Sequence, residues 1–297
     1  MNIKLLSIGF LGCLLLSTSL TYGQQQGNVL FFESNMSLFN PAFTGSKGAL
    51  VGLQYKSSWM GIEGGPKEAS LLYHSKQKNK ASWGVNIQNQ SVFIENQGVV
   101  SADYSYALQL GAKSQLFLGV KAGAVYNNID VNGLSRITTE SNQYLNSLNN
   151  YVHPLLGAGL LLKVNATYFG ASIPNFLNVK RYKDTEGFVV TATDKPQLFL
   201  SAGTRIPLLG GLSIQPAFMY RMIQQSPNYV TAVGMLDYKD KLALGIGVAN
   251  NEHISALVRT KAFSKMEIGF GYEFGLRTAA TSLNESGLEV LFQYQLD

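Results

Sequence analysis

Met266-Glu267-Ile268-Gly269-Phe270-Gly271-Tyr272-Glu273-Phe274-Gly275-Leu276 alternates an apolar residue with a glycine or a glutamate along its whole length. Successive side chains of a β-strand point to opposite faces, so the stretch reads as a strand with one apolar face and one small or polar face. Its length suits a strand that crosses a bilayer at a tilt, which takes about 9–11 residues. The pattern recurs on both sides. Leu288, Val290, Phe292, Tyr294 and Leu296 alternate with Glu289, Gln293 and Gln295. Trp83, Val85 and Ile87 alternate with Gly84, Asn86 and Gln88. Val100, Ala102, Tyr104, Tyr106, Leu108 and Leu110 alternate with Ser101, Asp103, Ser105, Ala107 and Gln109.

Carried along the chain, this periodicity predicts strands over 48–58, 67–76, 82–91, 98–110, 114–126, 153–165, 167–174, 196–206, 212–222, 229–238, 241–250, 253–261, 265–276 and 286–296. That makes about fourteen, an even number as single-chain bacterial barrels require. The expected fold is all-β, a transmembrane antiparallel β-barrel spanning 48–297 in the outer membrane. Connection lengths add an independent argument, because such barrels have short periplasmic turns and longer outer loops. The odd connections include Trp59–Pro66, Ser91–Gln97, Asn127–Val152, Asn175–Lys195 and Arg277–Glu285. The even ones include Gly111–Lys113, Asn165–Ala166, Pro207–Gly211, Lys239–Asp240 and Ala262–Ser264.

Composition agrees. Only 14% of residues are charged, against about 25% in an average soluble domain, and 30 glycines accompany 16 phenylalanines and 15 tyrosines. Residues 1–23 read as a signal peptide, with Lys4 as the positive region, an apolar run from Leu5 to Leu20, and Thr21-Tyr22-Gly23 before the cleavage point. The only cysteine, Cys13, lies in that run, so the mature chain has no disulfide and no thiol nucleophile. Residues 24–47 precede the first strand and contain Val29-Leu30-Phe31-Phe32. They are too apolar for a free tail and are expected to form a hatch at the periplasmic mouth, packed inside the barrel or against a partner.

The chemistry offers little for catalysis. Lys121, Lys163, Arg205, Arg221, Arg259, Glu267, Glu273 and Glu289 fall on expected lumen-facing positions, where buried charges need partners. An internal ion-pair network is expected. His74, His153 and His253 lack metal-ligand spacing, and no sequence signal pairs a serine with a histidine, so no catalytic, metal or cofactor residue is assigned. No Lys/Arg run is denser than Lys76-Gln77-Lys78-Asn79-Lys80, and nucleic acid is not an expected partner.

Phe39-Asn40-Pro41-Ala42-Phe43-Thr44-Gly45 resembles the entrance motif of the PorP/SprF family, outer-membrane components of type IX secretion. The order that follows strengthens the resemblance: Leu53-Gln54-Tyr55-Lys56 running into Trp59-Met60-Gly61, then Trp83-Gly84-Val85, Tyr104-Ser105-Tyr106, and Leu118-Gly119-Val120-Lys121-Ala122-Gly123. Ser286-Gly287-Leu288-Glu289-Val290-Leu291-Phe292 is similar to the family's closing strand, with Glu289 at its acidic position. The resemblance implies a non-catalytic role in exporting or holding a large adhesin-like surface protein, often linked to gliding motility. The implied partners are that secreted protein or a periplasmic secretion-ring component, besides outer-membrane lipid. Phe39, Asn40, Pro41, Ala42, Phe43, Gly45 and Trp59 are the candidate partner-binding residues. Asn-Pro-Ala before the first strand also resembles the fatty-acid transporter family FadL, which implies the alternative of a channel for small hydrophobic solutes.

Overall fold

The rows that alternate in the sequence form a wall whose apolar member faces outward. A computed structural model describes residues 29–129, 151–177, 179–185, 188–223, 227–250, 253–276 and 286–296. The expected signal peptide lies outside them, as do 130–150 and 277–285 of the outer connections. The strands are β1 (Leu50–Ser58), β2 (Lys67–His74), β3 (Ala81–Val92), β4 (Glu95–Gly111), β5 (Ser114–Ile129), β6 (Tyr151–Val164), β7 (Thr167–Ile173), β8 (Val179–Thr185) and β9 (Phe188–Asp194). They continue as β10 (Gln197–Thr204), β11 (Ile206–Pro207), β12 (Leu212–Ile223), β13 (Tyr229–Tyr238), β14 (Leu242–Ala249), β15 (His253–Phe263), β16 (Met266–Gly275) and β17 (Gly287–Gln295). In β16 Phe270 and Phe274 are exposed while Gly269, Gly271 and Glu273 are buried, as the opening stretch dictates.

Every wall pairing is antiparallel. Strands β1 to β7 pair in sequence, β7 pairs with β10, β10 with β12, and β12 to β17 in sequence, and β1 pairs with β17 from Leu50↔Gln295 to Ser58↔Gly287. The result is a closed fourteen-stranded barrel among the described residues, with no free edge to template aggregation. All fourteen expected strands are present. One end carries the short turns, the start of β1 at Leu50 and the end of β17 at Gln295, and the other carries the longer connections.

Two expected outer loops prove to be strand. Ser91–Gln97 continues β3 and β4 through the pairs Ser91↔Asn96 and Val92↔Glu95, leaving only Phe93-Ile94 as the turn. The reason is solvent. Beyond the hydrocarbon layer a strand needs no apolar row, so reading apolar alternation stops the strand where the lipid stops. Strands β4 and β5, with 17 and 16 residues, are longer than a bilayer crossing of about 11 residues needs. Asn175–Lys195 contains the hairpin β8–β9, paired from Val179↔Asp194 to Thr185↔Phe188. Its valines, threonines and aromatics favour a strand, but they are mixed with charges that no lipid-facing strand would carry.

The lumen departs further from expectation. Inward positions of β10 to β15 hold Phe199, Met219, Val233, Met235 and Leu257, all buried in one cluster with Phe117, Leu161 and Leu291. The small-or-polar interior holds for only part of the circumference, because an apolar segment from the N-terminus fills the rest.

Candidate functional site

Residues 29–49 run inside the barrel before the chain enters β1. Leu30, Phe31, Phe32, Met36, Ala42 and Phe43 are buried in the lumenal cluster, so these residues form a plug. Two single 3-10 turns shape it, Met36–Leu38 and Pro41–Phe43. The second follows from its sequence. Asn40 is extended at φ −138° and its Oδ1 accepts the Ala42 N–H at 3.0 Å, while Pro41 occupies the first helical position, where its missing N–H and restricted φ suit the turn. This turn lies flat on glycines. A Cβ on Gly119 would stand 2.1 Å from the Ala42 nitrogen, and one on Gly159 would stand 2.0 Å from Asn40 Oδ1.

The barrel grips the plug mainly through the plug's backbone. Glu289 accepts the N–H groups of Leu30 and Phe31 at 2.7 and 2.9 Å, and Gln54 Nε2 at 2.6 Å. Gln293 donates to the Ser34 carbonyl at 2.8 Å, and Lys121 to the Ser37 carbonyl at 3.0 Å. Ser172 donates to the Phe39 carbonyl at 2.9 Å, Ser105 to that of Ala42 at 3.1 Å, and Lys163 to that of Ser46 at 2.6 Å. Side chains complete the set. Thr44 Oγ1 donates to Asp103 Oδ2 at 3.2 Å, and Asn40 Nδ2 donates to the Leu160 carbonyl at 2.9 Å. Half-buried Glu33, on the plug, has its carboxyl held above the ordinary carboxylate range by desolvation, against the pull of Lys47.

The expected ion-pair network is present in pieces. Lys56 meets Glu273 at 2.7 Å, Lys121 meets Asp103 at 3.2 Å, and Arg259 meets Glu267 at 3.7 Å. Arg221 is buried with its guanidinium 4.8 Å from the Tyr229 ring centre. Arg205 corrects the expectation. It lies between β10 and β11, beyond the point where strand parity applies, and it is exposed at the short-turn rim with Asp237 at 3.4 Å and Asp240 closer still. His74 does reach the lumen, its Nε2 2.8 Å from Ser37 Oγ. That contact makes no hydrolase. Both groups are buried where the plug meets the wall, Ser37 Oγ already donates to Asn86 Oδ1 at 3.2 Å, and His74 Nδ1 has no hydrogen-bond partner to orient the ring. Among the described residues no group of three acidic, histidine or cysteine side chains is placed to hold a metal.

The sequence-predicted partner residues separate into two places. Asn40, Pro41, Ala42 and Phe43 are buried in the plug, Phe43 edge-on to Tyr168 with centroids 5.4 Å apart. Gly45 takes φ +70° beside Ser82. Phe39 is half-buried against Phe199 and, with Val29 and Leu38, floors a cavity of about 110 Å³ on the outer side of the plug. Gln54, Lys56, Glu68, Gln88, Gln90, Gln97 and Arg221 line its walls. Trp59 is at the other end of β1, in the outer connection, with its ring 6.0 Å from Phe93. Sequence reasoning missed Ser105, Ser172 and Gln293 as plug ligands. Inward parity marks Ser105 and Gln293 as lumenal, but a lone serine or glutamine carries no further signal.

A plugged barrel ending on an inward Glu289 now stands beside the Asn-Pro-Ala turn that the plug uses to lie on its glycine floor. Over residues 21–294 the chain matches the type IX secretion system membrane protein PorP/SprF. The chain belongs to the PorP/SprF family. It is therefore an outer-membrane β-barrel of type IX secretion. The PorP/SprF chain is similar in fold to two solved transporters. The Pseudomonas putida toluene transporter TodX superposes with TM-score 0.53 at 13% identity, covering 88% of this chain and 93% of that one. The Ralstonia pickettii toluene transporter TbuX gives TM-score 0.54 at 12% identity over 88% and 93%. At such identities the likeness concerns the fold alone. No curated protein sequence matches the chain.

Proposed function

We propose that this PorP/SprF member is a non-catalytic accessory of type IX secretion that helps deliver or hold a large adhesin-like surface protein of the kind used in gliding. The observation that carries the reading is the plug. Six large apolar side chains on it, Leu30, Phe31, Phe32, Met36, Leu38 and Phe43, are buried, each worth roughly 1.5–3 kcal/mol against exposure. Expelling them together costs far more than thermal motion supplies, so the lumen is a closed chamber and a partner acts at its ends. Phe39 and Trp59 are the candidate contact residues for the secreted protein, and Asn40, Pro41, Ala42, Phe43 and Gly45 shape the segment that presents Phe39. With the short turns facing the periplasm, the underside of the plug is the side open to a secretion-ring component. A channel for small hydrophobic solutes is the alternative that the toluene transporters bring to mind, but above its apolar floor the cavity over this plug is walled mostly by amides and charged side chains.

The test is the double substitution Asn40→Ala with Pro41→Ala, followed in the native outer membrane. The expected result is a folded, heat-modifiable barrel whose surface protein no longer reaches the cell exterior and no longer co-purifies with it. If the barrel is missing from the membrane, the turn serves folding only. If delivery is normal, the segment has no part in it.

A further inference from the structure

The short-turn rim carries a band of lysines. Lys78 and Lys80 lie in the β2–β3 turn, Lys113 in the β4–β5 turn, Lys239 and Lys241 in the β13–β14 turn, and Lys261 and Lys265 flank the β15–β16 turn, all exposed. They occupy four of the six turns at this end, on an arc that runs through the β1–β17 seam. Among the described turn residues there the exposed carboxylate is Asp240, and Arg205 holds it. The outer connections differ in sequence, interleaving acids with bases as in Lys183-Asp184-Thr185-Glu186 and Asp194-Lys195.

Each lysine group also adjoins an apolar side chain that faces away from the lumen. Trp83 follows Lys80 by three residues and Leu110 precedes Lys113 by three, and both are more than half exposed at 54% and 59%. Lys239 Nζ lies 5.0 Å from the centre of the Tyr238 ring. Phe263, 72% exposed, stands between Lys261 and Lys265. In an outer-membrane barrel these side chains mark where the hydrocarbon ends, since aromatic residues gather at that boundary. The ammonium groups therefore lie at headgroup depth, beside the leaflet rather than beneath the lumen.

We propose that this rim binds the phosphates of anionic phospholipids in the leaflet at the short-turn end. An ammonium at an anionic membrane surface gains about fivefold in partitioning, and the gain is screened by salt. An acidic protein docking from below would meet the same charges, but it would have no use for the apolar neighbour beside each group, so the lipid reading is preferred.

The experiment uses the full-length folded protein in detergent, exchanged against phosphatidylglycerol or phosphatidylcholine, with retained lipid read by native mass spectrometry. The expected result is several-fold preference for phosphatidylglycerol, reduced at high salt. The variant Lys78→Gln, Lys113→Gln, Lys241→Gln, Lys265→Gln, with one change at each turn, is expected to lose that preference and keep its heat-modifiable fold. Equal retention of the two lipids by the native protein overturns the proposal, whether or not the variant folds. It is also overturned if the variant keeps the lipid preference but loses co-purifying acidic proteins, which would assign the rim to a protein partner.

Discussion

The lumen has two unlike walls, and the plug touches both. On one side β1 to β5 and β17 present Gln54, His74, Asn86, Asp103, Lys121, Glu289 and Gln293, which hydrogen-bond to the plug or to one another. On the other side β10 to β15 present Phe199, Met219, Val233, Met235 and Leu257, which meet it by apolar contact. The polar wall sets where the plug's backbone goes, since each hydrogen bond demands its own distance and direction. The apolar wall supplies burial, which is less particular about geometry. A plug held by burial alone would slide, and one held by hydrogen bonds alone would gain only about 0.5–1.5 kcal/mol per bond.

That division can be tested by removing one kind of contact at a time and following urea unfolding of the folded barrel. The largest loss is expected from the apolar side. Phe32→Ala removes a fully buried ring from the cluster and should cost about 3–5 kcal/mol. If it costs no more than the serine change below, burial does not anchor the plug. Glu289→Gln comes next. The amide can turn its oxygen toward Phe31 and Gln54, but its NH2 then faces the Leu30 N–H, and a hydrogen bond to a charged group is worth about 1.5–3 kcal/mol. A glutamine that unfolds at the native urea concentration would mean that the carboxylate's charge contributes nothing. The smallest change is Ser172→Ala, which leaves the Phe39 carbonyl without its donor and should cost about 0.5–1.5 kcal/mol. A loss as large as that of Phe32→Ala would show that the polar contacts act as one unit.

The wall was legible in the sequence because strand parity is local. Met266 to Leu276 reveals its two faces without knowledge of any other strand, and closure follows from an even count. Parity also found Lys121, Glu273 and Glu289 as lumenal, and it failed at Arg205, where the strand has ended. The plug was half legible. Val29 to Phe32 is too apolar for water, and Asn40-Pro41 prescribes a turn. Which wall residues receive them was hidden, because those contacts join distant parts of the chain and depend on glycines such as Gly119 that look like ordinary small inward residues. The apolar inward rows of β10 to β15 make sense only once the plug's phenylalanines are known to lie against them.

The clasp of Glu289 on Leu30 and Phe31 bears on the order of assembly. These contacts span 259 and 258 positions of sequence, and Glu289 belongs to the strand that closes the wall against β1. Leu30 and Phe31 therefore have no complete seat until the last strand arrives. Contacts so distant in sequence form late, after the chain entropy of a long closure has been overcome. An unfinished barrel is an open gutter, and sealing the seam is also what stoppers it. Wall closure and the last hold on the plug thus come with one and the same strand.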